Sequence, residues 1–246
     1  MSNLPFRVQA FLTHLAISLL IASISIAVVF FVWHPAPLAK AVGVTNIFLM
    51  MLAIDVVLGP LLTLIVAKKD KSTLKLDLSV IALLQLAALS YGMYNIAITR
   101  PTYIAFDAIR FELVQANTIP RADREKANPP YNKLSFLSPR WVAVKIANND
   151  DEKNSRTFTE LQTGISPSMR PSLYEPLENQ WKIIVSKAHS LDELYKFNPK
   201  SDIDKYINDY PSATNFLPLK AYQTDMVVLL DTKNQKILKV VDLRPW

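Results

Sequence analysis

The sequence predicts a membrane α-helical bundle of three transmembrane helices, N-terminus cytoplasmic, followed by an exported α+β domain with antiparallel strands. Hydrophobic residues make up 50% of the 246, but they crowd into the first hundred positions. Three runs in that part are each long enough, at about 1.5 Å per residue, to cross roughly 30 Å of hydrocarbon. After Arg100 short β-branched and aromatic runs alternate with polar, proline-marked stretches, as in a water-soluble domain. The expected division is residues 1–100 for the spans and 101–246 for the exported, periplasmic domain.

The first run has no Asp, Glu, Lys or Arg between Val8 and Ala39. Secretory signal cores are only about 7–15 residues long, so this run is expected to remain as an anchor. The second, Thr45 to Ala67, is interrupted only by Asp55, and the third, Leu78 to Thr99, carries no charge. Lys68, Lys69, Lys71 and Lys75 sit in the loop between the second and third spans, against Lys40 alone in the loop before. Short lysine-rich loops stay in the cytoplasm, which places Arg7 inside and everything after Arg100 outside.

Asp55 lies in the middle of its span. A midspan Asp costs about 2.5–3.5 kcal/mol, whereas each Leu, Ile, Val or Phe returns roughly 0.3–0.6 kcal/mol. Thirteen such residues between Ile47 and Val66 outweigh the acid, so the span inserts with its carboxyl group turned towards protein. At 100° per residue Asp55, Gly59 and Thr63 share a narrow face, and Pro60 is expected to bend the helix beside it. His14, Ser18, Ala22 and Ser25 share a face of the first span, and Gln85, Ala88, Gly92 and Asn95 a face of the third. Small and polar residues at that spacing let helices approach and hydrogen-bond in lipid. Ser25 or Tyr91, level with Asp55, is its expected partner. Asp55 is read either as glue for this bundle or as a docking point for another helix. A proton relay has a thinner basis, because the spans hold no Lys, Arg or second acid beside Asp55.

In the exported part, "TYIAFDAIRFELVQA" reads as a hairpin turning at Asp107 and Ala108. Thr118 is placed to cap a short helix with Pro120 in its first turn, ended by Pro129 and Pro130. Arg140 to Ala147 alternates as a strand. "NNDDEKNSRTFTELQTG" is a polar helix with acids at its positive end and Gly164 as C-cap. "PSMRPSLYEP" reads as an extended connection, followed by two or three short helices from Leu177 to Tyr210. The last hairpin pairs Met226 to Leu230 with Ile237 to Leu243 across a turn near Lys233 and Asn234.

Several chemistries are excluded or disfavoured. The chain has four glycines, of which only Gly164 lies after Arg100, so glycine-rich phosphate loops and nucleophile elbows cannot be built. It has no cysteine, which removes thiol chemistry and disulfides. Its three histidines are scattered, and His189 near Asp192 would be a lone base. Asp150, Asp151 and Glu152 fit a helix cap better than a cation site. Trp141, Tyr174, Trp181 and Trp246 are expected mostly in the core. Of the net charge of +6, half lies before Arg100 and half from Arg100 on, where 21 basic and 18 acidic residues are dispersed in mixed sign, so no nucleic-acid stripe is visible. No cofactor, metal or catalytic residue is expected.

"DVVLGPLLTLIV", "LKLDLSVIALLQLAALSYGMY", "FVWHPAPL" and the hairpin ending in "PW" together resemble the type IV pilin accessory proteins of the TfpX/TfpZ type. That resemblance implies a non-enzymatic protein of the bacterial inner membrane that binds or chaperones a cognate type IV pilin and modulates its assembly or retraction. A prepilin is likewise an N-inside protein with one apolar helix and an exported head, so the bundle would meet the helix and the exported domain the head. The helix-packing or pilin-contact residues would be Asp55, Gly59, Pro60, Ser25, Gln85, Ala88, Gly92 and Tyr91. The alternative is a membrane-anchored periplasmic sensor or transport accessory protein unrelated to pili. Oligomeric state is not legible.

Overall fold

The computed structural model describes residues 4–246. The helices are α1 (Phe6–Ala27, continued by a π-helical stretch through Trp33), α2 (Leu38–Val42), α3 (Val44–Val66), α4 (Leu74–Ile98), α5 (Arg121–Lys126), α6 (Asp150–Thr163), α7 (Trp181–Lys187) and α8 (Lys200–Asp209). The strands are β1 (Pro101–Asp107), β2 (Arg110–Gln115), β3 (Arg140–Val144), β4 (Tyr174–Glu175), β5 (His189–Ser190), β6 (Asn215–Lys220), β7 (Met226–Asp231) and β8 (Lys236–Val241). The chain divides into two compact units, one of residues up to 33 with 44–98, the other of 34–43 with 99–246.

The first unit is the helical bundle. Phe6–Trp33, Val44–Val66 and Leu74–Ile98 are all long and apolar enough to cross a membrane. Helix α3 packs against both α1 and α4. Its inner face carries Phe48, Leu52, Gly59, Pro60 and Thr63, all buried, while Ile47, Met50, Val57 and Ile65 are exposed. Exposed apolar side chains are what a lipid solvent requires of a bundle's outer surface. The helix runs unbroken through Pro60.

The second unit is built on one mixed but mostly antiparallel sheet, ordered β4-β3-β1-β2-β6-β7-β8, with β5 pairing the end of β6. The β1–β2, β6–β7 and β7–β8 pairs are antiparallel, and β1–β3 and β2–β6 are parallel. Strand β7 reads as a continuous apolar run because both its faces are covered. Met226, Val228 and Leu230 enter one core with Phe106, Trp181 and Leu217, while Val227 and Leu229 enter another with Leu194, Ile203 and Phe216. Trp141 packs against the first core, and Tyr174 lies in a third with Tyr103 and Val142.

The segment 34–43 is part of this second unit. Leu38 and Ala41 of α2 belong to its main core. The Ala41 carbonyl accepts from the backbone N–H groups of Gln223 (2.9 Å) and Thr224 (3.1 Å), and Lys40 pairs with Asp242 at 2.5 Å. Gly43 closes α2 at φ 77°, a left-handed conformation, and a Cβ there would press within 3.1 Å of Gln223.

Two local expectations are corrected. Thr118 does not cap α5; its hydroxyl donates to the Gln115 carbonyl, and Pro120 occupies the cap position. "PSMRPSLYEP" is not simply extended, because Pro167 and Pro171 each start a 3-10 turn before β4. Strand β6 carries Pro218, although proline reads against a central strand. Pro218 fits because β6 meets β2 only at Leu219 and Lys220, so no partner on that side needs its missing N–H. The capped polar helix α6 is as expected: the Asn149 side chain accepts from Glu152 N–H at 2.8 Å, and Gly164 ends the helix at φ 71°.

Candidate functional site

Within the bundle, α1 and α4 flank α3 and leave a groove over its middle, about 140 Å³ in volume. Ile17, Ser18, Ile21 and Ala22 of α1 form one wall, Ala82, Gln85, Leu86 and Leu89 of α4 the other, and Leu52, Asp55 and Val56 the floor. Ile17 and Leu86 are 53% and 52% exposed, so the rim is open. The lining is apolar except for His14, Ser18, Asp55 and Gln85.

Asp55 is tied to α4 through its backbone. Gln85 Nε2 donates to the Asp55 carbonyl at 2.7 Å. Asp55 Oδ2 and Gln85 Oε1 are both buried and have no hydrogen-bond partner among the described residues. Further along the same helix the His14 ring meets the Thr63 hydroxyl at 2.6 Å, which links α1 to the residue two turns beyond Asp55.

Neither expected partner of Asp55 is its partner. Ser25 is buried, but its hydroxyl donates to Ile21 O one turn back at 2.9 Å, the usual way a helix satisfies an internal serine. Tyr91 is 73% exposed. The two glycines sit at the α3–α4 contact. A Cβ on Gly59 would fall 2.0 Å from Gln85 Nε2, and one on Gly92 would fall 1.9 Å from Met51 Sδ. Pro60 is buried beside Gly59. Ala88 faces outward, whereas Ile81, Gln85, Leu89, Gly92 and Ile96 turn inward.

The sheet domain holds no comparable constellation. His189 stacks on Phe216 at 5.4 Å and faces Glu193 at 3.2 Å, not Asp192. Hydrogen bonds from the Asn148 backbone and from Arg156 hold the Glu152 carboxyl below the usual carboxylate range. Among the described residues no group of three His, Cys, Asp or Glu could hold a metal ion. A cavity of about 680 Å³ is lined by Asp107, Lys145, Arg156 and Glu160. Burial, aided by the nearby charges of Glu112 and Glu160, pushes the Asp107 carboxyl up to about 6, against the pull of Arg110 and Arg156.

Fold and groove define a polytopic membrane protein with one sheet-bearing domain and a polar point inside its bundle. The family model described as "Fimbrial assembly protein FimB" matches residues 2–43, covering the first span and α2. A Dichelobacter nodosus fimbrial assembly protein of serogroup I is 29% identical over 94% of this chain and 92% of its own length. One of serogroup E1 is 28% identical over the same shares. A third, of serogroups C1 and C2, is 41% identical over 101 residues, 39% of this chain and 77% of that relative. The chain belongs to this fimbrial assembly protein family. No solved structure matches it.

The residues that sequence reasoning passed over are His14 and Thr63 as a bonded pair, and Leu38 with Ala41. The first had a signal, since each had been placed on a packing face of its span; the second had none, because five residues are too few for a period to show.

Proposed function

We propose that this protein is a non-enzymatic accessory factor for type IV pilus biogenesis in the bacterial inner membrane. It holds a cognate pilin through the pilin's apolar helix and exported head and modulates its assembly or retraction. The lysine-rich α3–α4 loop supports an N-inside orientation with the sheet domain in the periplasm. Support for the role comes from the family and from its Dichelobacter nodosus relatives, named for fimbrial assembly.

The observation that carries pilin docking is the groove floor. Asp55 Oδ2 and Gln85 Oε1 are buried acceptors left open by the chain's own helices. In hydrocarbon an unmet polar group costs roughly 2–7 kcal/mol, so an incoming apolar helix that presents an N–H or O–H at that depth would be held there. Gly59, in contrast, is filled by Gln85 of the same chain, so contact with pilin is assigned to the rim at Ile17 and Leu86 and the floor at Asp55.

The test is in-membrane photocrosslinking in cells that express the pilin, with the probe at position 17, 86 or 55 and, for comparison, at 59. Pilin adducts from the first three, lost when Asp55→Leu is combined with a probe at 17 or 86, are the expected result. Labelling of only the protein's own helices from all four positions would sink the docking scheme.

A further inference from the structure

We propose that helix α6 is a strap governed by pH: it closes over the cavity that Asp107 faces while that carboxyl is neutral, and lifts from the rest of the sheet domain when the carboxyl ionises.

The helix is joined to its domain by very little. None of its 14 residues is buried, and none enters the three cores of the domain. Its two large apolar side chains point outward, Phe158 66% and Leu161 81% exposed. Arg156, about 200° from Phe158 around the helix, turns inward, and its Nη1 donates to Lys145 O at 2.5 Å. Among the described residues that is the one hydrogen bond from α6 to anything beyond the turns that flank it. Elements with no buried apolar contact are the first that local opening releases. The Asn149 cap and Gly164, at φ 71°, end the helix cleanly, so it can swing as a unit.

Beneath it are space and an acid. The cavity of about 680 Å³ has Asp107, the last residue of β1, on its sheet side and Asp150, Lys153, Arg156 and Glu160 on its α6 side. Burial is the main force against an ionised Asp107, followed by the carboxylates of Glu112 on β2 and Glu160 on α6; Arg110 on β2 and Arg156 on α6 oppose them less strongly. Both of these cations are already engaged, Arg110 with Glu112 and Arg156 with Glu152. Lys145 and Lys153, also at the cavity wall, are exposed, where solvent screens them.

Lifting α6 takes Glu160 away and admits water to Asp107, so once the proton leaves, the lifted position is favoured. The sign follows from linkage: Asp107 titrates at about 6 under α6 against an ordinary 3.8, so the closed position is favoured at low pH and loses that advantage as pH rises through about 6. With 3.8 as the value when α6 is lifted, the lifted-to-closed ratio rises by up to about 25-fold between about pH 4.5 and about pH 7.5.

The test uses the full chain in detergent micelles, which has no native cysteine. Leu161→Cys and Tyr222→Cys, the latter 80% exposed in the same domain, are spin-labelled together, and the distance between them is measured by double electron-electron resonance at about pH 4.5 and about pH 7.5. A reference pair, Tyr222→Cys with Lys236→Cys on the exposed end of β8, reports that the sheet is intact at both. The expected result is one narrow 161–222 distance at the lower pH and a second, displaced population at the higher, with the reference distance constant. Asp107→Asn should keep the narrow distance at both, and Glu160→Gln, on an exposed side chain, should shrink the displaced population. A 161–222 distance that ignores pH overturns the proposal, as does a pH shift that survives in Asp107→Asn. Should Asp107→Asn disturb the reference distance, Glu160→Gln decides, and a displaced population equal to the parent's overturns it.

Discussion

Replacing Leu38 by Ala probes whether the short link between the first two spans is a structural part of the sheet domain. Leu38 is only 4% exposed and lies in the same core as Ile104, Trp181 and Leu217. The change removes three carbons, worth together about 2.4 kcal/mol at roughly 0.8 kcal/mol each. A residual cavity raises the total, and buried Leu→Ala changes span about 2–5 kcal/mol. The expected loss is therefore about 3 kcal/mol, the lower middle of that range, because the five-residue α2 can settle partly into the space. By contrast Lys40→Ala, which breaks an ion pair whose lysine is 61% exposed, should cost at most about 1 kcal/mol. The assay is urea unfolding of the full chain in detergent micelles, followed by the fluorescence of Trp141 and Trp181, both packed in or against that core. Equal midpoints for Leu38→Ala and the parent would refute the assignment of residues 34–43 to the sheet domain. They would also leave the family-matched segment 2–43 without a structural reason to extend past the first span.

Two further changes address single physical terms in the sheet domain. Asp107 is held up to about 6 in the folded chain, so its contribution to stability is present in full below the unfolded value and is lost as pH rises through about 6, up to roughly 3 kcal/mol in all. Asp107→Asn should flatten that decline, measured as the urea midpoint between about pH 4 and pH 7.5, and an unchanged slope would mean the carboxyl is not the group responsible. Gly164→Ala adds a Cβ at φ 71° with nothing within 4 Å of it, so it tests backbone strain alone and should lower stability by about 1 kcal/mol, with a gain in stability speaking against the left-handed cap.

Much of the fold was legible because its causes are local or global and little else. The spans follow from length and charge, the capped helix α6 from Asn149 and Gly164, and the β1–β2 and β7–β8 hairpins from short apolar runs around polar turns. What was not legible depends on a partner that local sequence does not specify. Strand β6 carries Pro218, which argues against a strand unless one knows that β2 pairs with it only beyond that residue. Helix α2 offers only Leu38 and Ala41 to a core made by residues far away in sequence. In α4 the small-residue rule picked Ala88, which faces out, while Ile81, Leu89 and Ile96 make the inward face together with Gln85 and Gly92. In a membrane apolar side chains serve equally on either surface, so sequence marks the polar and small members of a seam and is silent about the large ones.

The same asymmetry bears on Asp55. Sequence could say that a midspan carboxylate must face protein, and it could place Gly59 and Thr63 on that face. Thr63 takes the His14 ring and Gly59 takes Gln85, so both are used within the chain. Asp55 is different: its backbone carbonyl is bonded by Gln85, but its own Oδ2 and the other end of that amide remain open at the floor of a groove with an exposed rim. A bundle selected only to cohere would do better with an apolar residue there, since lone polar atoms in lipid oppose insertion. Two buried side-chain oxygens without a partner are what the proposed docking requires, a place for a polar group from another chain. Hence Asp55→Leu should leave the bundle intact or tighten it while abolishing pilin crosslinks at the rim, whereas a purely structural acid would give the opposite pair of results.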